Sequence, residues 1–160
     1  MRRFIELVDA VIQDWQRRVP DILLIEDDPN DRLMARMALE RISCRITEAV
    51  TGAQAIEIYE RKLLENYNSY GQTHFPFDMI FLDLKLPHPD GLQVLRFIRG
   101  RMERQPVAIM TGYATEENIA EATKLGYIGL ILKPLTANGV SSALEMHNLH
   151  IGLPTKPLNQ

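Results

Sequence analysis

Five short strand-like runs, each separated from the next by a stretch of helical periodicity, limit this chain to very few architectures. The runs fall at residues 22–25, 45–50, 77–83, 107–111 and 128–132. Between them, residues 29–42, 52–66, 91–100 and 115–125 repeat apolar side chains three and four apart, and residues 138–147 close the series in the same way. Continuous apolar runs such as Ile22-Leu23-Leu24-Ile25 suit strands buried on both faces. Strands alternating with helices predict an α/β domain built on a five-stranded parallel sheet. Short connections and right-handed crossovers make that sheet doubly wound.

Ahead of the first run, Phe4, Ile5, Val8, Val11, Ile12 and Trp15 recur at helical spacing, opposite Glu6, Asp9, Gln13 and Asp14. This predicts an extra N-terminal amphipathic helix, closed by Arg17, Arg18 and Pro20. The chain therefore divides into that helix over residues 1–19, an α/β domain over 20–148 and a tail over 149–160. With 160 residues there is room for one ordinary domain. The helix stripe (Phe4, Val8, Val11, Trp15) packs onto its own domain or serves a partner or a second copy.

Charge excludes some functions. The net charge is −3, and Lys and Arg are spread along the chain, so the basic footprint of a nucleic-acid binder is missing. Arg96, Arg99, Arg101 and Arg104 cluster locally and read as the solvated face and end of a helix. The single cysteine, Cys44, has no disulfide partner, which fits a reducing compartment. No apolar run approaches the roughly 20 residues that cross a bilayer, so a cytoplasmic protein without membrane partners is expected. His88, in a turn between two prolines, reads as surface punctuation; His147 and His150 have helical spacing but no further ligands, and metal binding by these or by His74 is not expected.

In open parallel sheets the site lies beyond the carboxyl ends of the strands. The first strand delivers Glu26, Asp27 and Asp28 there, the third Asp83, the fourth Thr111 and Gly112, and the fifth Lys133 and Pro134. Gathered carboxylates repel and raise one another's pKa. A hard dication such as Mg²⁺ relieves this, since it takes carboxylate oxygens, water and phosphate. An Asp kept ionised by metal and ammonium suits a nucleophile. The set therefore reads as Asp attack on phosphorus, with Lys133 and Thr111 as ligands to the phosphoryl oxygens. Asp28, beside Pro29, is the better helix cap.

These stretches, Ile22-Leu-Leu-Ile-Glu-Asp-Asp28, Asp83-Leu-Lys-Leu-Pro87 with Asp90-Gly91, Thr111-Gly112 and Lys133-Pro134, resemble the response-regulator receiver family of two-component signalling. The likeness covers about residues 21 to 148 and implies a flavodoxin-like receiver fold. It implies that Glu26, Asp27 and Asp83, with the main-chain carbonyl of Lys85, hold Mg²⁺. It further implies that Asp83 is the phosphoacceptor, Thr111 the switch hydroxyl and Lys133 the phosphate-pairing lysine, with a cis Lys133–Pro134 bond. The partners implied are a sensor histidine kinase or phosphotransfer protein and a downstream protein target. The chain would be a signalling phosphoacceptor rather than an enzyme that turns over a separate substrate.

Three features depart from the family. Leu130 stands where an aromatic is usual. Residues 66–76 form a longer connection, similar to that of stand-alone regulators paired with bacterial phytochromes. The N-terminal helix is the third. Lys85 and Tyr113 are expected to overhang the crevice and slow hydrolysis of the acyl phosphate. Nothing but a tail follows the domain, so output is expected through protein contacts on the fourth helix, fifth strand and fifth helix, homodimerisation included. Ile119, Ala122, Tyr127, Leu130 and Leu144 lie there.

Three rival readings compete with this one. A flavodoxin-like nucleotide binder needs a loop that attracts phosphate, and Glu-Asp-Asp-Pro-Asn-Asp repels it. A dehalogenase-type phosphohydrolase needs a second Asp at position 85, which is Lys. A pseudo-receiver, binding proteins without phosphorylation, remains the alternative.

Overall fold

The computed structural model describes residues 19–70, 74–112 and 115–150. Its strands are β1 (Asp21–Ile25), β2 (Arg45–Ala49), β3 (Met79–Asp83), β4 (Val107–Thr111) and β5 (Gly129–Leu132). Its helices are α1 (Pro29–Leu39), α2 (Gly52–Tyr70), α3 (Gly91–Arg101), α4 (Glu116–Leu125) and α5 (Ala137–His150). The strands form one parallel sheet in the order β2-β1-β3-β4-β5. Strand order reverses between β1 and β3, which is where such a sheet opens its crevice.

Side-chain alternation along the strands feeds two cores. Leu23, Ile25, Ile80, Leu82, Val107 and Ile109 pack with Ala55, Tyr59, Leu95, Ile98 and Ala122 of α2, α3 and α4. Ile22, Leu24, Met79, Phe81, Ala108 and Met110 pack with Ala35, Ala38, Leu39, Val140 and Ala143 of α1 and α5. The sheet is therefore covered on both faces, as a doubly wound fold requires. Among the described residues no helix is long and apolar enough to cross a membrane.

Element ends differ from the periodicity reading in places. α1 stops at Leu39, three residues early, where Ile42 N–H turns back to the Leu39 carbonyl at 3.0 Å. α2 runs on to Tyr70, through residues expected to start the long connection. Asn66 Nδ2 donates to the Phe75 carbonyl at 3.0 Å and ties that connection back to the helix. β3 starts at Met79, because Asp78 is used otherwise: its carboxylate accepts the Asp21 N–H at 2.7 Å. The N-terminal helix, except for its last expected residue, lies outside the described residues, as do Tyr113, the tail beyond His150 and residues 71–73.

Two glycines allow close backbone packing next to the strand ends. A Cβ on Gly91 would sit 2.3 Å from the Asp83 carbonyl oxygen and 2.5 Å from Leu84 Cα. A Cβ on Gly52 would sit 2.0 Å from the Pro89 carbonyl oxygen. Both glycines let backbone meet backbone, and Gly91 seats the start of α3 against the end of β3. Asp90 caps that helix in a reciprocal box with Gln93, each side chain accepting the other's N–H at 2.9 Å.

The basic cluster on α3 is only partly a solvated face. Arg99 is half-buried and donates to the carbonyls of Leu125, Gly126 and Gln105 at 2.7–3.0 Å. It clamps the turns leaving α3 and α4 together. Arg96 and Arg101 are exposed and pair with Glu121 and Glu60.

Candidate functional site

The register brings the strand ends level. Ile25 pairs with Leu82, Asp83 with Met110 and Thr111 with Leu132. Glu26 and Asp83 therefore stand side by side, and Lys133 follows one residue beyond its strand. By alternation, Glu26, Asp83 and Lys133 continue the register of Leu24, Phe81 and Ile131, on the α1/α5 face. Three segments far apart in sequence thus supply one constellation.

Lys133 lies at its centre. Its Nζ is 2.6 Å from Glu26 Oε2, 2.8 Å from Asp83 Oδ2 and 3.1 Å from Asp31 Oδ2. Glu26 and Asp83 are buried, at 1% and 2% exposure. Burial pushes the Glu26 carboxyl up to about 7; the Asp83 charge adds to the rise, and the hydrogen bond from Lys133 opposes it. Burial alone would lower Lys133, but its bonds to Asp83, Glu26 and Asp31 outweigh that and raise it. The lysine is thus held charged.

Carboxylate oxygens of Glu26, Asp27 and Asp83 all lie within 4.8 Å of one another. Three hard oxygen donors at that spacing fit a dication of the Mg²⁺ kind, which relies on few protein ligands. The buried Glu26, whose proton is held near neutral pH, gives such an ion something to displace. Lys85 presents an exposed side chain, and its N–H donates to Asp83 Oδ1 at 3.0 Å. Thr111 is buried at the end of β4, and its carbonyl accepts the Lys133 N–H at 2.9 Å. The Lys133–Pro134 bond is cis, and so is His88–Pro89.

Asp28 caps α1, its Oδ1 accepting the N–H groups of Asn30 at 2.8 Å and Asp31 at 2.9 Å. Those bonds, the Asp31 N–H foremost, hold its carboxyl below the usual range. Two residues at the site were not singled out from the sequence. Asp31 reaches Lys133 from the first turn of α1, a place where an acid reads simply as favourable to the helix dipole. Arg32 Nη1 donates to the carbonyls of Glu26 at 3.0 Å and Asp27 at 3.1 Å, fixing the backbone that carries the acidic pair.

Of the residues expected on the output face, Ala122 is in the core, and Ile119, Tyr127 and Leu144 are partly buried and pack against the cores. Among the described residues the exposed large apolar groups there are Leu130, Leu132 and Met146. His88 is exposed in its turn.

Comparison with known proteins gives a consistent picture. Residues 22–145 match the family model of the response regulator receiver domain. The transcriptional regulatory protein ResD of Bacillus subtilis is 33% identical over 119 residues, 74% of this chain and 44% of ResD. The chain spans less than half the length of the curated relatives it first matches. Among solved structures, the bacteriophytochrome response regulator AtBRR aligns with a TM-score of 0.64 and 26% identity. That alignment covers 89% of this chain and 99% of AtBRR. A receiver domain protein from Methanospirillum hungatei aligns with a TM-score of 0.69 at 20% identity, over 84% of this chain and 98% of its own.

Proposed function

Since the chain belongs to the response-regulator receiver family, we propose that Asp83 accepts a phosphoryl group in a Mg²⁺-dependent reaction. The observation that carries this reading is the shared ammonium: Lys133 bonds Asp83 and Glu26 within 2.8 Å, while oxygens of Glu26, Asp27 and Asp83 lie within 4.8 Å of one another.

The donor is a phosphohistidine on a sensor kinase or phosphotransfer protein. An Asp83 carboxylate oxygen attacks phosphorus, the P–N bond breaks, and its electron pair stays on the imidazole nitrogen. Glu26, Asp27, Asp83 and the main-chain carbonyl of Lys85 would hold the Mg²⁺, which would supply charge neutralisation on the phosphoryl oxygens. Lys133 pairs with one of those oxygens and Thr111 hydrogen-bonds another. Arg32 keeps the β1 end in place while charge is redistributed. Asp83 is a stoichiometric acceptor, so the chain is a signalling protein, not a turnover enzyme.

A cytoplasmic setting follows from the donor. The likeness to AtBRR across nearly its whole length makes a phytochrome-type kinase the first donor to try. Output passes through protein contacts, self-association included, on the exposed Leu130, Leu132 and Met146 of β5 and α5. Direct nucleic-acid contact is not part of the reading for this domain.

Intact mass after incubation with acetyl phosphate and Mg²⁺ tests the proposal. One added phosphoryl group, removed by hydroxylamine and absent in Asp83→Ala, is expected. No gain in mass would leave a protein-binding module without phosphorylation.

A further inference from the structure

Lys133 has a third acceptor that the strand ends do not supply. Besides Glu26 and Asp83, its Nζ lies 3.1 Å from Oδ2 of Asp31. An ammonium carries three N–H donors, and three carboxylates meet them here. Asp31 differs from the other two. Its side chain is 42% exposed, against 1% and 3% for those of Glu26 and Asp83. It comes from the first turn of α1, whose backbone is fixed by the Asp28 cap. Nor does it join Glu26, Asp27 and Asp83 in the oxygen cluster that suits a dication. Its charge is directed at the lysine.

We propose that Asp31 is a positioning residue for phosphoryl transfer, holding the Lys133 ammonium at the crevice mouth while Asp83 is esterified. The inference rests on Asp83 being the phosphoacceptor. In the unmodified protein all three carboxylates share the ammonium. During transfer that changes. The attacking Asp83 oxygen gives its electron pair to phosphorus as the donor bond breaks, so its negative charge passes to the phosphoryl group and the leaving group. Glu26, as one of the residues that would hold the dication, would be engaged at the same time. Asp31 is then the carboxylate that still faces the ammonium from the protein side. Lysine is a point charge on a long flexible stem, and an anchor on its outer side keeps the head aligned on a phosphoryl oxygen. No proton moves between Asp31 and Lys133.

The test is the initial rate of phosphorylation against acetyl phosphate concentration at saturating Mg²⁺, for the parent, Asp31→Ala, Asp31→Asn and Asp83→Ala. Asp31→Ala should lower the limiting rate about tenfold, as misplacement of a reacting-group partner does. The half-saturating donor concentration should stay within about twofold, because ground-state binding is untouched. Asp31→Asn, with an amide oxygen in the same place, should recover part of the rate. Asp31→Ala at parental speed overturns the inference. So do Ala and Asn variants that are equally faster, the mark of a charge that merely repels an anionic donor. A parent that takes up no phosphoryl group removes the phosphoacceptor reading and this inference with it. Labelling of the parent but not Asp83→Ala keeps that reading whatever Asp31 does.

Discussion

Glu26 is a buried carboxyl beside a second buried carboxyl, Asp83. It is 1% exposed, and burial, with the Asp83 charge adding, pushes its carboxyl from an ordinary 4.5 to about 7. Between those two values the folded chain holds a proton that the unfolded chain has released. Stability in the absence of divalent ions should therefore fall as pH rises from about 4.5 to about 7, by on the order of 3 kcal/mol, and level off above. Urea unfolding across that range in chelator checks this, and Glu26→Gln should flatten the slope. A slope of the opposite sign, or one unchanged in Glu26→Gln, would show that another group sets it. Lys133, raised by its three carboxylates, stays charged throughout the window.

At the scale of elements, the glycines and Arg99 decide how firmly the strand ends are held. Gly91 touches the backbone of Asp83 and Leu84, whereas a Cβ on Gly100, in the same helix, would meet nothing within 4 Å. Gly91→Ala must push α3 off β3 and should cost about 2–3 kcal/mol, through overpacking against rigid backbone. Gly100→Ala should instead stabilise by about 0.5 kcal/mol, because a helical Gly loses more chain entropy than Ala. Thermal and urea unfolding of the two variants gives the contrast; equal effects would mean that the Gly91 contact relaxes freely. Arg99→Lys removes the planar fork that spans three carbonyls and should cost about 1–3 kcal/mol, although the charge is kept.

The elements that were legible in the sequence share one cause. Strands buried on both faces leave continuous apolar runs, and in a parallel sheet the residues after those runs share one edge, so the meeting of Glu26, Asp27, Asp83 and Lys133 was legible in the sequence. What was not legible rests on non-local contact. The three partners of Lys133 lie on β3 and on the β1–α1 segment, and Asp31 looked like an ordinary first-turn acid. Arg99 looked like surface charge until the turns after α3 and α4 closed around it. The extension of α2 through Asn66, Tyr67, Asn68, Ser69 and Tyr70 goes against weak helix propensity, and its hold on Phe75 through Asn66 is not a pattern that periodicity shows.

At the scale of the molecule, the sheet separates two jobs. Its carboxyl edge carries the acids and the lysine. Its amino edge is held by structural polar contacts, with Asp78 bonding the Asp21 N–H and Gln105 bonding the Phe77 carbonyl at 2.7 Å. A cavity of about 500 Å³ between the ends of α2 and α3, lined by Leu63, Leu64, Tyr67 and Met102, belongs to that second edge, remote from the chemistry. The curated relatives are longer than this chain, and ResD is named a transcriptional regulator. The function proposed for the domain is a charge switch at the crevice. That proposal requires oxygens of Glu26, Asp27 and Asp83 to gather one dication beside Lys133. Calorimetric titration of the parent and of Asp27→Asn with Mg²⁺ at neutral pH measures it directly. One ion bound with release of protons from Glu26, and at least about tenfold weaker binding in Asp27→Asn, is the expected result. Binding that is equal in the two proteins, or heat of dilution alone in the parent, would contradict it.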